Sequence, residues 1–222
     1  ATPVLAKAWK DKDIAKISMI YRRSGINLLI ASLAIFLLIW LSYEDIVISF
    51  RLKPAYLDSL WIFFFFGLAR VVDLGSGVNS QIIATSTFWR FEFVSGMILL
   101  MLIVPLNYFL IKGFGIIGAG YSNLISMSVY NLVRILFLKR KFNMHPFDRK
   151  TLIAIALAVM AYFICYFSFN QIHGFAGIIL RSISFVALFV GPVLYFDLTP
   201  DAIPVIQNIW KRVKKDKKDR EI

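Results

Sequence analysis

The sequence predicts an all-α, polytopic membrane protein with a bundle of six transmembrane helices, and three observations predict it. Of its 222 residues, 59% are hydrophobic, and the mean hydropathy is +0.72. Soluble globular domains are only about 45–50% apolar. The apolar residues gather into six blocks, each able to supply the roughly 20 residues that a helix needs to cross a bilayer. Lysine and arginine fall almost wholly in alternate connections between those blocks.

The first block, residues 24–43, is free of charge. The second runs over about residues 57–77 and carries Arg70 and Asp73. Its uncharged stretch, residues 59–69, is too short to span alone, so both charges fall within the membrane thickness. Charge there is costly and marks a pathway or site by default. The third block is uncharged over residues 93–111, begins near Phe88, and contains Pro105, which frees a backbone carbonyl and predicts a kink. The fourth lies within residues 116–138, with Arg134 near its end. The fifth lies within residues 151–170, and the sixth within residues 176–196 with Arg181 in its first turns. Arg134 is expected to snorkel to the inner interface and Arg181 to the outer one.

Charge placement gives orientation. The segment before the first block holds Lys7, Lys10, Lys12, Lys16, Arg22 and Arg23, and the connection between the fourth and fifth holds Lys139, Arg140, Lys141, Arg149 and Lys150. The tail adds Lys211, Arg212, Lys214, Lys215, Lys217, Lys218 and Arg220, whereas the opposite loops hold only Arg51, Lys53 and Lys112. The positive-inside rule then puts both ends of the chain in the cytoplasm, and only an even span count keeps the basic groups on one side. Trp40 and Trp61 fall near outer helix ends, and Trp9, Trp89 and Trp210 near inner ones, as an interfacial belt requires. Ile206, Ile209, Trp210 and Val213 recur at helical spacing before a run of lysines. That tail reads either as an amphipathic helix on anionic lipid or as a solvated basic tail. Asp13 is suited to N-cap the helix leading into the first span. The net charge of +12 would suggest nucleic acid in a soluble chain, but here it belongs to membrane topology, and no nucleic-acid partner is expected. The chain opens at Ala1 with no signal-peptide pattern, and is expected to be a piece of a longer protein that begins within an earlier helix.

Few residues point to catalysis. His145 and His173 have no Cys, Asp or Glu at ligand spacing, and Cys165 sits in an apolar run. No phosphate loop, nucleophile elbow or paired-carboxylate motif is found, and no metal or cofactor is expected. The hairpin between the second and third spans is richer. Arg70 and Asp73 are three residues apart and share a helix face. Asn79, Ser80, Gln81, Thr85, Ser86 and Thr87 bring polar side chains to the turn, and Arg90 and Glu92 open the next helix. Arg90 is expected to approach Asp73 across the hairpin. These groups either staple the hairpin or line a polar cavity that meets anionic headgroups or a coupling ion, proton or sodium. Arginine suits phosphate through its planar donor fork. Gly118, Ser122 and Ser126 recur every four residues and form a small-residue stripe for close helix packing.

Four stretches carry a resemblance: KDKDIAKISMIYRRSGINLLI (10–30), GVNSQIIATSTFWRFEF (77–93), PLNYFLIKGFGIIGAGYSNLIS (105–126) and RILFLKRKFNMHPF (134–147). In order and spacing they are similar to the C-terminal half of bacterial polysaccharide-biosynthesis membrane proteins. These are the O-antigen and oligosaccharide flippases of the multidrug/oligosaccharidyl-lipid/polysaccharide exporter superfamily. The resemblance covers residues 1–150, and Tyr121 and Asn123 depart from it by standing where smaller residues are expected. It implies two lobes around a central cavity and alternating access that moves a lipid-linked glycan from the inner to the outer leaflet. On this mapping residues 1–150 are the second lobe, the end of one helix plus four spans. Residues 151–198 are two additional helices, and residues 199–222 are the cytoplasmic tail. The first lobe would be a required partner, so the piece alone is not expected to transport. Arg70, Asp73, Asn79, Gln81, Arg90 and Glu92 are the candidate cavity residues. Two rivals stand beside this expectation: a multidrug cation antiporter on the same scaffold, and a membrane enzyme of polysaccharide assembly.

Overall fold

The computed structural model describes residues 2–199. The expected amphipathic tail, with Ile206, Ile209, Trp210 and Val213, lies outside the described residues. Within them the chain is all-α, with nine helices and no strand. In order these are α1 (Thr2–Lys10), α2 (Ile14–Ser49), α3 (Ala55–Asp58), α4 (Leu60–Gly75), α5 (Asn79–Ala84), α6 (Trp89–Phe114), α7 (Ile117–Phe142), α8 (Arg149–Ser168) and α9 (Gly174–Tyr195).

Four of them, α2, α6, α8 and α9, are long and apolar enough to cross a membrane, which makes this a multi-pass membrane protein. The expected second and fourth spans form helices but are not among those four. Helix α4 has 16 residues, about 24 Å at 1.5 Å each, short of the roughly 30 Å hydrocarbon core. The expected block is divided at Ser59, where α3 ends, and stopped by Gly77, whose φ of +69° leaves the helical region. Helix α7 is long enough at 26 residues, but glycine, serine, asparagine and Lys139, Arg140 and Lys141 dilute its apolar content.

Helix α2 is the axis of the bundle. It packs on α4 along one side and on α8 and α9 along the other, while α7 lies between α4 and α6. Trp40 meets Phe64, Phe36 meets Phe63, and Leu29 lies against Gly75, so α4 runs antiparallel to α2. Phe65 meets Tyr121 and Asp73 meets Asn131, so α7 runs parallel to α4. The main core joins Leu29, Leu33 and Phe36 of α2 to Ala154, Ala158 and Ala161 of α8 and Phe185 and Phe189 of α9. Three alanines a turn apart let α8 come close. Helix α6 is peripheral, since Ser95 is its one buried residue. Phe93, Met101, Val104 and Phe109 point outward, an apolar surface suited to lipid tails.

A second core closes the basic end. Leu5 and Ala8 of α1 pack with Ile17 and Tyr21 of α2, Ile82 and Ile83 of α5, and Leu138 of α7. Trp9 Nε1 donates to the Ile82 carbonyl at 3.1 Å. Helix α1 therefore covers the polar hairpin, and the break at residues 11–13, with Lys12 at φ 55°, turns α1 back onto it.

Local signals act where the sequence puts them. The Asp13 carboxylate accepts from the Lys16 N–H at 2.9 Å and caps α2. Asp148 and Thr151 form a reciprocal capping box at the start of α8. Asn143, in the left-handed region, ends α7. Helix α6 continues unbroken through Pro105. Trp40 and Trp61 pair at 5.8 Å at the end opposite the basic one.

Candidate functional site

The polar site is built where α4 ends and α5 tucks back into the bundle. The turn at Gly77 runs so close to α2 that a Cβ there would lie 3.0 Å from the Gly25 nitrogen. Glycine thus serves both the left-handed backbone and the close approach. The Ser24 hydroxyl accepts from the Val78 N–H at 3.3 Å and holds the turn. This seats Asn79 in the interior, 2% exposed.

Asn79 donates through Nδ2 to Asn131 Oδ1 at 3.0 Å. The Asn131 amide in turn donates to Asp73 Oδ1 and to the Met127 carbonyl, each at 3.0 Å. The result is a ladder, Asn79 to Asn131 to Asp73, buried at the two asparagines and half-buried at Asp73, joining α5, α7 and α4. Asp73 also faces Arg70 at 3.7 Å, but the arginine side chain is 65% exposed, so that pair adds little.

Beside the ladder sits an ion pair. Arg134 of α7, 3% exposed, donates to Glu92 at the start of α6 and to the Tyr130 hydroxyl. Its guanidinium lies 3.7 Å from the Tyr130 ring centroid, and its Nε reaches Ser95 Oγ at 3.4 Å. The Ser80 hydroxyl donates to Glu92 Oε1 at 2.8 Å, bringing α5 into the same network. Among the described residues no donor reaches the second, buried carboxylate oxygen of Glu92.

Three expected site residues, Asp73, Asn79 and Glu92, enter this network. Arg70 touches it only through the exposed pair with Asp73, and Gln81 and Arg90 stay outside it. Arg70 is on the surface, Gln81 is exposed, and Arg90 is exposed over the ring of its neighbour Trp89 at 5.5 Å. The expected approach of Arg90 to Asp73 does not occur. Position 90 precedes Glu92 by two residues, which turns it away from the face on which Glu92 meets α7. The expectation that Arg134 snorkels is also overturned: Arg134 is buried, because it shares a face with Asn131 and Tyr130 that packs against α4 and α6. Asn131, Arg134, Tyr130 and Ser95 are the members that sequence reasoning missed. A signal was available, since two steps of four residues from Ser126 reach Tyr130 and then Arg134.

The small-residue stripe explains how α6 and α7 come close enough for this. A Cβ on Gly118 would lie 2.2 Å from the Leu110 carbonyl oxygen. Ser122 and Ser126 are fully buried, and the Ser122 hydroxyl faces the Ile103 carbonyl at 3.4 Å. On the other side of α7, Gly120 admits Phe65 of α4.

A groove of about 620 Å³ runs between α2, α4, α7 and α8. Leu33, Phe36, Leu68, Val72, Leu132 and Phe163 give it an apolar wall. Toward the basic end it reaches Ser76, Ser128, Asn131 and Thr151, so it terminates on the ladder. At the opposite end lies a second buried pair. Arg181 of α9 binds Asp45 of α2, and also donates to the carbonyls of Leu41, Phe169 and Ile172 at 3.3, 3.1 and 2.8 Å. Arg181 is therefore 7% exposed rather than snorkelled, because three carbonyls and a carboxylate converge on it. Asp45 also accepts from the Gly174 N–H at 2.9 Å, and His173 Nδ1 lies 3.6 Å away.

No family model matches the chain, and neither does any curated protein or solved structure.

Proposed function

We propose that this chain forms the second lobe, with two additional helices, of a flippase that moves a lipid-linked oligosaccharide or polysaccharide precursor across a bacterial inner membrane. The observation that carries the reading is the pairing of the apolar groove with the polar ladder. A lipid-linked glycan has a long apolar chain and a polar, anionic head. The groove suits the chain, and at its end the Ser128 hydroxyl can donate to the head, while Asn131 Oδ1, whose amide donors are engaged, can accept from a glycan hydroxyl. With α4 and α7 crossing beside the four long helices, there are six spans, and both ends of the described chain lie in the cytoplasm. The ladder then sits at the entry side. A coupling ion drives this transport only if it binds the two access states with different affinity.

A cation antiporter on the same scaffold needs an intramembrane acid free to take up its substrate. Asp73 already accepts from Asn131, which weighs against that reading. A membrane enzyme of polysaccharide assembly would convert the glycan lipid instead of moving it.

The test is Ser128→Trp in the full-length protein, expressed in a strain whose surface glycan depends on it. Ser128 lines the groove, so an indole there fills it without removing any member of the ladder. The expected result is loss of surface glycan with unchanged protein level in the membrane. Full surface glycan with a filled groove would overturn the reading.

A further inference from the structure

A second cavity, about 400 Å³, opens at the end opposite the basic one, between α2, α4, α8 and α9. Four aromatic side chains line it: Trp40, Trp61, Tyr162 and Tyr166. Trp40 and Trp61 form a corner, with centroids 5.8 Å apart and planes at 55°. Tyr162 and Tyr166 stack one turn apart at 6.0 Å and 17°. Glu44, Asn170 and His173 add polar side chains to the lining, and Leu41, Ile48 and Leu60 add apolar ones. The Arg181–Asp45 pair also lines it. Its guanidinium is already committed to one carboxylate and three carbonyls, so it has little capacity left for a phosphate or carboxylate ligand.

We propose that this cavity binds a neutral sugar ring. A pyranose presents an apolar C–H face, which suits aromatic planes, and an edge of hydroxyls that both donate and accept. The rim matches that edge. Glu44 accepts, the Asn170 amide does both, and so does the imidazole of His173. An interfacial aromatic belt accounts for a single exposed ring such as Trp61. It does not account for four rings and three polar side chains converging on one concavity, which is the pattern of a ligand pocket. Asp45 is held by Arg181 and the Gly174 N–H, so a cation would engage Glu44 and the ring faces and leave Asn170 and His173 without a role. The assignment goes beyond the transport proposal and does not depend on it, because binding at this pocket is measured without transport.

The experiment uses the full-length protein in phosphatidylglycerol nanodiscs, prepared without sugar-based detergent. Methyl glucoside, methyl galactoside and N-acetylglucosamine are titrated singly, with tryptophan fluorescence and saturation-transfer NMR as readouts. At least one is expected to bind saturably with Kd on the order of 1 mM. Trp61→Ala and Glu44→Ala should each weaken it by about tenfold, the scale of one lost aromatic or charged contact. Trp89→Ala, at the far end, should leave it unchanged. Trp61 and Tyr166 are both substantially exposed, so Tyr166→Ala serves as a second variant if Trp61→Ala fails to fold. Absence of saturable binding by all three sugars, or equal binding in the variants, would overturn the proposal. Binding of tetramethylammonium but no sugar would overturn it in favour of a cation site.

Discussion

Replacing Arg134 by alanine isolates the charge that the bundle holds most deeply near its basic end. The guanidinium side chain is 4% exposed, and its partner Glu92 is 22% exposed. In the variant, Glu92 keeps the Ser80 hydroxyl as its remaining donor, while Tyr130 and Ser95 lose their shared partner. Stripping one member from a buried pair costs about 3–5 kcal/mol, most of it from the charge left uncompensated. For a chain of this size, about 2–4 °C accompanies each kcal/mol, so the transition should fall by about 6–20 °C. Removing both charges together, as in Glu92→Gln with Arg134→Met, should recover about 2 kcal/mol or more relative to Arg134→Ala. The assay is thermal unfolding of purified protein in detergent, read by gel filtration after heating. A shift below about 2 °C for Arg134→Ala, or a double variant no better than the single one, would refute the assignment of a buried pair.

Other expectations follow from the same packing. Gly118→Ala should destabilise by about 1–3 kcal/mol, since its Cβ meets the Leu110 backbone. Gly96→Ala, with nothing within 4 Å, should be neutral or stabilising by up to about 1 kcal/mol. Thermal unfolding of the two alanine variants checks the contrast. Asn131→Leu leaves Asn79 and Asp73 without their shared partner, and should cost about 1–3 kcal/mol in the same assay. Topology is checked in a Cys165→Ala background carrying Lys53→Cys, Lys112→Cys or Lys141→Cys. An impermeant maleimide should label the first two on intact cells and the third only after permeabilisation. Labelling of all three from outside would contradict the six-span proposal.

Much of the fold is legible in the sequence because a membrane asks for long uncharged runs, and residues 24–43 and 93–111 are such runs. The expected third, fifth and sixth spans fall close to α6, α8 and α9. The expected second span overruns α4 at both ends. Hydropathy continues across Ser59 and up to Gly77, while the backbone does not. The site was harder to read. Asp73, Asn79 and Glu92 stood out as polar residues between apolar blocks, but their partners lie on α7, up to 58 residues away. Which of two nearby arginines meets Glu92 depends on helix rotation, and that is set by where Gly118, Ser122 and Gly120 let neighbouring helices approach. Arg181 and Asp45 are 136 residues apart, and neither has a local motif. Their pairing arises only once α9 folds back onto α2.

The most direct test of the central claim is translocation in proteoliposomes. Full-length protein would be reconstituted with a fluorescently labelled lipid-linked oligosaccharide, and the leaflet of the label read by a membrane-impermeant quencher. Protein-dependent movement of intact glycan lipid between leaflets is the expected result, abolished by Ser128→Trp. No movement above protein-free vesicles, or chemical conversion of the glycan lipid without movement, would contradict it.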